Sequence, residues 1–241
     1  MAFPIGPLVN GGAILIGGLI GAVAGHKLPE RVRANLPTLF GLISVGLGVM
    51  TIPHVKYYAA VGLSSVLGVA LGEWCNIEKG INKIAAATRG AVDKILPIRS
   101  DMSSEKFIEN FVGILILFCA SGTGIFGAMH EGMTGDPSIL YIKTILDFFT
   151  AGIFAITLGY AVLTIAVPQL AVQLVLYFLA TLIVPLTTPE MRADFAACGG
   201  LLMLATGLRI MGIKSFPVAN MLPALIFVMP ISHFWAIYIA H

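Results

Sequence analysis

Charged side chains are scarce in this chain of 241 residues, since Asp, Glu, Lys and Arg together make up 11% of it. A soluble globular protein usually carries about 25% charged residues. Hydrophobic residues make up 58% of the chain and come in long runs with almost no charge inside them. The scarcity of charge argues against an ordinary soluble domain, and the apolar runs predict a protein that lies mostly in lipid.

Cysteine is also rare, and motifs of metal, nucleotide or nucleophile chemistry are missing from the sequence. Cys75, Cys119 and Cys198 lie far apart and form no CxxC or Cys/His spacing. No HExxH motif, nucleotide-binding motif or nucleophile beside a base is found. The sequence therefore predicts no enzyme, no metal site and no cofactor, and a net charge of +2 gives no indication of a nucleic-acid partner.

Eight stretches approach the length of about 20 apolar residues that a helix needs to cross a bilayer. They are residues 5–26, 36–53, 57–75, 107–129, 139–166, 168–187, 195–213 and 221–240. The second is short and the last contains Pro223 and Pro230, so a count of seven stays open. The predicted fold is an all-α polytopic membrane protein with a single domain over residues 1–241.

The basic residues predict an orientation, because loops rich in Lys and Arg stay on the cytoplasmic side. With the N-terminus outside, 11 of the 14 Lys and Arg residues lie inside, and only Lys56, Lys143 and Arg192 lie outside. No Lys or Arg precedes the first apolar run, which favours an uncleaved span over a signal peptide. We expect the N-terminus to face outwards.

The longest connection, residues 76–105, is predicted to contain an amphipathic helix over residues 76–97. Apolar residues recur at three- and four-residue steps between Ile77 and Leu96, and charged residues, most of them basic, fill the remaining positions. On the cytoplasmic side, such a helix is expected to lie in the headgroup region. It is either a simple surface connector or a helix that binds a regulatory partner.

Residues 1–130 and 138–241 are candidate repeat halves, and only the first half contains this connector. Asn10 and Asp147 are 137 positions apart, and so are Gly62 and Gly199. Halves with an even number of spans would be related by an axis along the membrane normal. Apolar sequence aligns with itself easily, so a duplication and a chance similarity both stay open.

Glycines at four-residue intervals, as at Gly17 and Gly21, let helices approach closely in lipid. They predict tight packing inside one bundle, or a face for a homodimer. Residues 119–124 (CASGTG) place Ser121 and Thr123 in the middle of the fourth span. Here we expect either close packing or an opened helix whose carbonyls and hydroxyls coordinate an ion.

Few ionisable residues fall inside the apolar stretches, and Asp147 is the deepest of them. It lies about eight residues into the fifth span, or roughly 12 Å along a helix, while half the hydrocarbon thickness is about 15 Å. Lys143 precedes it by one turn on the same face. The pair is predicted to be either a structural ion pair or a transport site. His130 and Glu131, at the outer end of the fourth span, are expected to form an exposed loop end or else a gate or pH-sensing pair.

Three amides complete the candidate binding set. Asn10 lies in the first span, Asn110 opens the fourth, and Asn220 precedes the last span between two prolines. Each could bond a neighbouring helix or contact a solute, and Asn220 is expected where a broken helix offers free N–H groups. The predicted solute- or ion-binding residues are Asp147, Asn10, Asn220, Lys143, Asn110, Ser121 and Thr123.

Several segments carry a family resemblance. They are residues 10–12, 29–31, 71–73, 77–79, 124–135, 143–147, 199–201 and 220–223. In these segments the chain resembles the YdfK/YqgA family of bacterial inner-membrane proteins, domain-of-unknown-function family 554. The resemblance covers essentially the whole chain and implies a protein of the bacterial plasma membrane. What it implies about activity is limited to transport and an effect on biofilm formation.

Two functions follow from these patterns. The first is a secondary transporter or channel for a small solute or ion, in which Asp147 binds a cation or cycles a proton and the drive comes from an ion or solute gradient. The alternative is a non-transporting scaffold or signalling protein that acts through the basic helix at 76–97. The expected partners are membrane lipid, a small solute or cation, and, as one candidate, a second copy of the chain.

Overall fold

The computed structural model describes residues 3–24, 29–87, 104–119 and 121–239, which are almost entirely helical and contain no strand. Helices suit lipid because they satisfy their own backbone hydrogen bonds. The predicted all-α class is confirmed. The α-helices of these residues are α1 (Ile5–Ala24), α2 (Glu30–Thr51), α3 (Tyr58–Cys75), α4 (Ile77–Ala87), α5 (Ser104–Cys119), α6 (Gly122–Thr134), α7 (Ser138–Leu158), α8 (Ala166–Ile183), α9 (Pro189–Ile210), α10 (Val218–Met221) and α11 (Pro223–Tyr238).

Six helical segments of the described residues are long and apolar enough to cross a membrane. They are Ile5–Ala24, Glu30–His54, Tyr58–Cys75, Ser138–Leu186, Pro189–Ile210 and Val218–Tyr238. The segment Ser138–Leu186 holds both α7 and α8, which are joined by the 3₁₀ helix Gly159–Ile165. Six candidate membrane-spanning helical segments of the described residues are therefore confirmed, whereas the number of crossings, the repeat and the orientation stay predictions.

Two helices differ from the predicted spans. The second span is predicted to begin at residue 36, but α2 begins at Glu30 and continues through Pro37. The charged residues around Glu30 lower the local hydropathy, which is why the span is predicted to begin later. An acidic residue in the first turn stabilises a helix, so Glu30 is a favourable first residue of α2. The predicted fourth span is interrupted, because α5 ends at Cys119 and α6 begins at Gly122. Ser121 caps α6 by accepting a hydrogen bond from the Gly124 N–H.

Glycines bring three pairs of helices into close contact. A methyl group at Gly21 of α1 would overlap the carbonyl oxygen of Gly152 in α7. A methyl group at Gly207 of α9 would overlap the carbonyl oxygen of Gly41 in α2. A methyl group at Gly68 of α3 would overlap the backbone of α11. Small residues permit such backbone approach in lipid. The four-residue glycine pattern of α1 is therefore used within the bundle.

The amphipathic connector is described only as far as α4, and its continuation from residue 88 lies outside the described residues. Glu78 fastens α4 to the start of the last helical segment. Its backbone N–H donates to Asn220 Oδ1 at 2.7 Å, and its carboxylate accepts from the Ala219 N–H and from Arg209 at 3.2 and 2.8 Å. The first turn of the connector is thus held against the helical bundle.

Candidate functional site

Asp147 and Lys143 form a buried ion pair on α7. Asp147 is 6% exposed to solvent, and Lys143 is 3% exposed. Lys143 Nζ donates to Asp147 Oδ1 at 2.8 Å and to Oδ2 at 2.6 Å, across one helical turn as the spacing predicts. Because a buried ion pair loses its hydration, it persists only where further hydrogen bonds complete it.

Those hydrogen bonds come from α1 and α8. Asn10 Nδ2 and Gln169 Nε2 each donate to Asp147 Oδ2 at 2.9 Å. The carboxylate therefore accepts hydrogen bonds from three side chains on three helices. Four hydrogen bonds to two oxygens fit an ionised carboxylate, which only accepts.

The charge on Asp147 fixes the orientation of the neighbouring amides. Since the carboxylate only accepts, Asn10 and Gln169 must both turn their NH₂ groups towards it. Asn10 Oδ1 then faces α8 and accepts from the NH₂ groups of Gln169 and Gln173, the second at 2.8 Å. As a result, Gln169 Oε1 and Gln173 Oε1 are turned away and accept no hydrogen bond from the described residues.

A cavity of about 240 Å³ lies beside the ion pair, between α2, α7, α9 and the break between α5 and α6. Both Lys143 and Asp147 line it. Its other polar lining residues carry hydroxyl groups, and its remaining wall is apolar. Since one water occupies about 30 Å³ of liquid, the cavity holds several waters or a small solute. The hydroxyl-bearing residues are Ser44, Ser121, Thr123, Thr150 and Thr206.

The start of α6 lies at this cavity. The first N–H groups of a helix have no partner within it and carry a partial positive charge. Ser121 and Thr123, at this end of α6, both line the cavity, and the Lys143 side chain lies so close to Gly124 that a methyl group there would displace it. The Lys143 ammonium group, the Ser121 hydroxyl and the positively polarised end of α6 therefore meet at the cavity, which suits a solute with an acceptor or negatively charged group.

Four of the predicted site residues thus meet at one cavity, and Asn10 joins them through Asp147. Asn110, half-buried on α5, is not among the described residues that line it. Asn220 lies in α10, just before the predicted break ahead of Pro223, but its side chain accepts from Glu78 and does not line the cavity. The structure therefore gives Asn220 a part in attaching α4.

Glu131 is not the exposed loop end that the sequence predicts. It is 2% exposed, because the end of α6 packs against α1 and α8. Glu131 Oε1 accepts from the Gly6 N–H at 3.0 Å, in the first turn of α1. Oε2 lies against Gly6 and accepts no hydrogen bond from the described residues. His130 is half-buried, with its ring 5.6 Å from the ring of Phe126.

Sequence reasoning missed the two glutamines of α8. Gln169 and Gln173 lie one turn apart in an otherwise apolar helix, and both are buried. An amide pair inside an apolar span is the same signal that singles out Asp147, so it could have been found. Ser44 and Thr206 carry no such signal, because hydroxyls commonly bond back to their own helix, as Thr206 does to the Leu202 carbonyl at 2.8 Å.

A second buried carboxylate, Asp194 of α9, has a structural role. Its Oδ1 accepts from the N–H groups of Lys56 and Tyr57 at 2.7 and 2.9 Å, where α3 begins. Its Oδ2 accepts from the Ser232 hydroxyl at 2.6 Å. Both oxygens of Asp194 are therefore occupied, and they tie α9 to α3 and α11.

No group of three or more His, Cys, Asp or Glu side chains that could hold a metal ion occurs among the residues the structure describes. The polar groups at the cavity are one ion pair, amides and hydroxyls. This donor set can hydrogen-bond and orient a small polar solute.

Comparisons with known proteins relate the chain to proteins of uncharacterised function. A family model described as "Protein of unknown function (DUF554)" matches residues 5–233. The chain is 53% identical over 236 residues to "Uncharacterized protein YqgA" of Escherichia coli strain K12, covering 98% of this chain and 99% of that one. It is 26% identical over 225 residues to "Uncharacterized membrane protein YdfK" of Bacillus subtilis strain 168, covering 92% of each. No solved structure matches.

Proposed function

The chain belongs to the DUF554 family, and on that premise we propose that it carries a small polar solute or ion across the bacterial inner membrane. One observation carries the proposal: the buried Lys143–Asp147 pair lines a cavity of about 240 Å³ at the break between α5 and α6. Broken helices whose ends meet a polar cavity are how many transporters hold their substrates.

A purely structural ion pair is stabilised by hydrogen bonds within the protein and needs no cavity beside it. Here the pair borders open space instead, next to hydroxyl groups and the start of a helix. Asp147 already accepts four hydrogen bonds, so Lys143 is the charged donor that meets the solute and Asp147 holds it in place. A solute with a hydrogen-bond acceptor or a negative group fits this arrangement best.

The test is electrical current from proteoliposomes on a solid-supported membrane, with a panel of small inorganic and organic anions and neutral polar solutes. We expect one class to give a current with the full-length protein. Lys143→Met keeps the length of the side chain and should abolish this current, and Asp147→Asn should reduce it strongly. Val175→Leu, at a position on α8 that is 58% exposed, serves as the control. A current that is unchanged in Lys143→Met would contradict the proposal.

A scaffold or signalling role is the second candidate, and the attachment of α4 favours it. Glu78 and Arg209 clamp the amphipathic helix, while Lys79 and Lys83 remain exposed for a partner. If this role is the correct one, replacing both lysines with glutamine abolishes the biofilm phenotype of a complemented deletion strain, and Asp147→Asn leaves it intact. If the protein is a transporter, Asp147→Asn abolishes the phenotype and replacing the two lysines leaves it intact.

A further inference from the structure

A line of buried polar side chains runs along α8, away from the ion pair. Gln169, Gln173 and Tyr177 follow at four-residue steps and are at most 2% exposed. Residues four apart share one helical face, and eight residues of helix cover about 12 Å. Gln169 bonds Asp147 at one end of this line, and at the other end the Tyr177 backbone packs against Gly132 of α6, the residue that follows Glu131.

The described residues contain three buried side-chain oxygens that accept no hydrogen bond, two of them on this line and the third on Glu131 of α6, near its Tyr177 end. They are Glu131 Oε2, Gln169 Oε1 and Gln173 Oε1. Reversing the glutamine amides does not help, because Asp147 and Asn10 need their NH₂ groups. Buried acceptors are unfavourable without a donor. Water molecules can supply donors to the two amides, and a proton bound at Glu131 removes the buried charge that Oε2 would otherwise carry without a donor.

We propose that Glu131 is a proton-binding residue and that the line Gln169–Gln173–Tyr177 carries the water that connects it to Asp147. The inference rests on the proposed function and names its coupling ion as the proton. In the transfer, the O–H bond at Glu131 breaks and an O–H bond at Asp147 forms, so one negative charge moves from Asp147 to Glu131. Lys143 then has no counter-charge and is free to bind a negatively charged solute at the cavity.

Among the described ionisable groups at this end of the bundle, Glu131 is the one with a buried carboxylate oxygen that accepts no hydrogen bond. Hydrogen bonds from the Ser138 hydroxyl and N–H hold the pKa of Asp136, in the loop after α6, below its usual range. Lys143, which lies one turn after Leu140 on α7, is already paired with Asp147. Gly6 of α1 donates its N–H to Glu131, and Leu140 of α7 lies with Glu131 beside Gly6; the other titratable groups near Glu131 are Asp136 of the loop and Tyr177 of α8.

The first measurement is infrared difference spectroscopy of the reconstituted full-length protein during a pH titration. A protonated buried carboxyl gives a C=O stretching band that grows on acidification. We expect this band in the wild type and in Asp194→Asn, whose carboxylate is fully bonded elsewhere, and expect Glu131→Gln to lack it. The glutamine still accepts the Gly6 N–H bond, so the variant should fold. An unchanged band in Glu131→Gln overturns the proposal.

The second measurement is proton flux into proteoliposomes that contain a pH-sensitive dye, driven by a potassium diffusion potential. Glu131→Gln and Gln173→Leu should each lower the flux by about 100-fold, the scale of general acid–base contributions. Asp194→Asn and Val175→Leu should leave it unchanged. If Gln173→Leu does not fold, Glu131→Gln carries the test alone. Wild-type flux in Glu131→Gln overturns the proposal.

The two proposals fail in different ways. A solute current that depends on Lys143 but is the same at every pH and in Glu131→Gln contradicts proton coupling and leaves transport standing. A Glu131-dependent proton flux in a protein that gives no solute current with any member of the panel supports the proton site and contradicts solute transport.

Discussion

Asn10 of α1 donates a hydrogen bond of 2.9 Å to the Asp147 carboxylate of α7, across 137 positions of sequence. These are the two residues that the candidate repeat places at equivalent positions. The glycines of α1 allow the contact, because Gly17 and Gly21 bring the backbone of α1 against Phe148 and Gly152 further along α7. This buried polar contact therefore depends on the close approach of α1 and α7.

The ion pair predicts a compensating double variant. Asp147→Leu leaves Lys143 buried without a partner and should lower the free energy of unfolding by about 3–5 kcal/mol. Adding Lys143→Met removes the unpaired charge, so the double variant should recover most of that loss while remaining inactive in transport. Thermal unfolding in detergent measures the stability. A double variant no more stable than Asp147→Leu would contradict this description of the pair.

The α1–α7 contact predicts opposite effects for two glycines of one helix. Gly21→Ala pushes a methyl group into the Gly152 carbonyl and should cost about 1–3 kcal/mol. Gly12→Ala is the matched control, because its added methyl group meets no atom within 4 Å. It should be neutral or stabilise by up to about 1 kcal/mol, as alanine does inside helices. Equal effects in thermal unfolding would show that α1 and α7 do not meet as described.

Asp194 predicts a local effect at the start of α3. Asp194→Ala removes the acceptor of two N–H groups and of the Ser232 hydroxyl, and should destabilise the protein by about 2–4 kcal/mol. Hydrogen exchange should accelerate first at Lys56 and Tyr57. Asp194→Asn keeps one acceptor oxygen and should lose less. Uniform acceleration over the whole chain would argue against a capping role.

The Glu78 contacts predict that α4 can be released. Glu78→Ala removes the acceptor of Ala219 and the partner of Arg209, so α4 should exchange its amide hydrogens faster and be cut sooner by protease. Lys79→Ala, at an exposed position on the same turn, is the control and should change neither rate. If both variants behave like the wild type, Glu78 does not hold α4.

The parts of this fold that were predictable depend on local pattern. Apolar runs place the helices, and the four-residue spacing of Lys143 and Asp147 places their side chains together. The glycine and hydroxyl run at 119–124 indicates the break that α5 and α6 show. These signals are short in range, so each could be interpreted before the helices were arranged in space.

The contacts that the sequence could not predict depend on which helix faces meet in the folded protein. Glu131 follows an apolar span and so suggests an exposed end, yet α1 and α8 cover it. The capping role of Asp194 needs the start of α3, about 138 positions away. Gln169 and Gln173 could have been identified from the sequence, since amides in an apolar helix are costly. Their hydrogen bonds to Asn10 could not, because Asn10 belongs to a different helix, α1.

Cysteine accessibility tests most directly whether the cavity beside Lys143 and Asp147 is a solute route. Single cysteines at Thr123 and Thr206, which line the cavity, and at the exposed Ile145 of α7 are placed in a variant lacking the native cysteines. A charged methanethiosulfonate reagent that cannot cross lipid is then added to proteoliposomes. Labelling at Thr123 and Thr206, but not at Ile145, is the predicted result. Failure of both cavity positions to react from either side of the membrane would contradict the account.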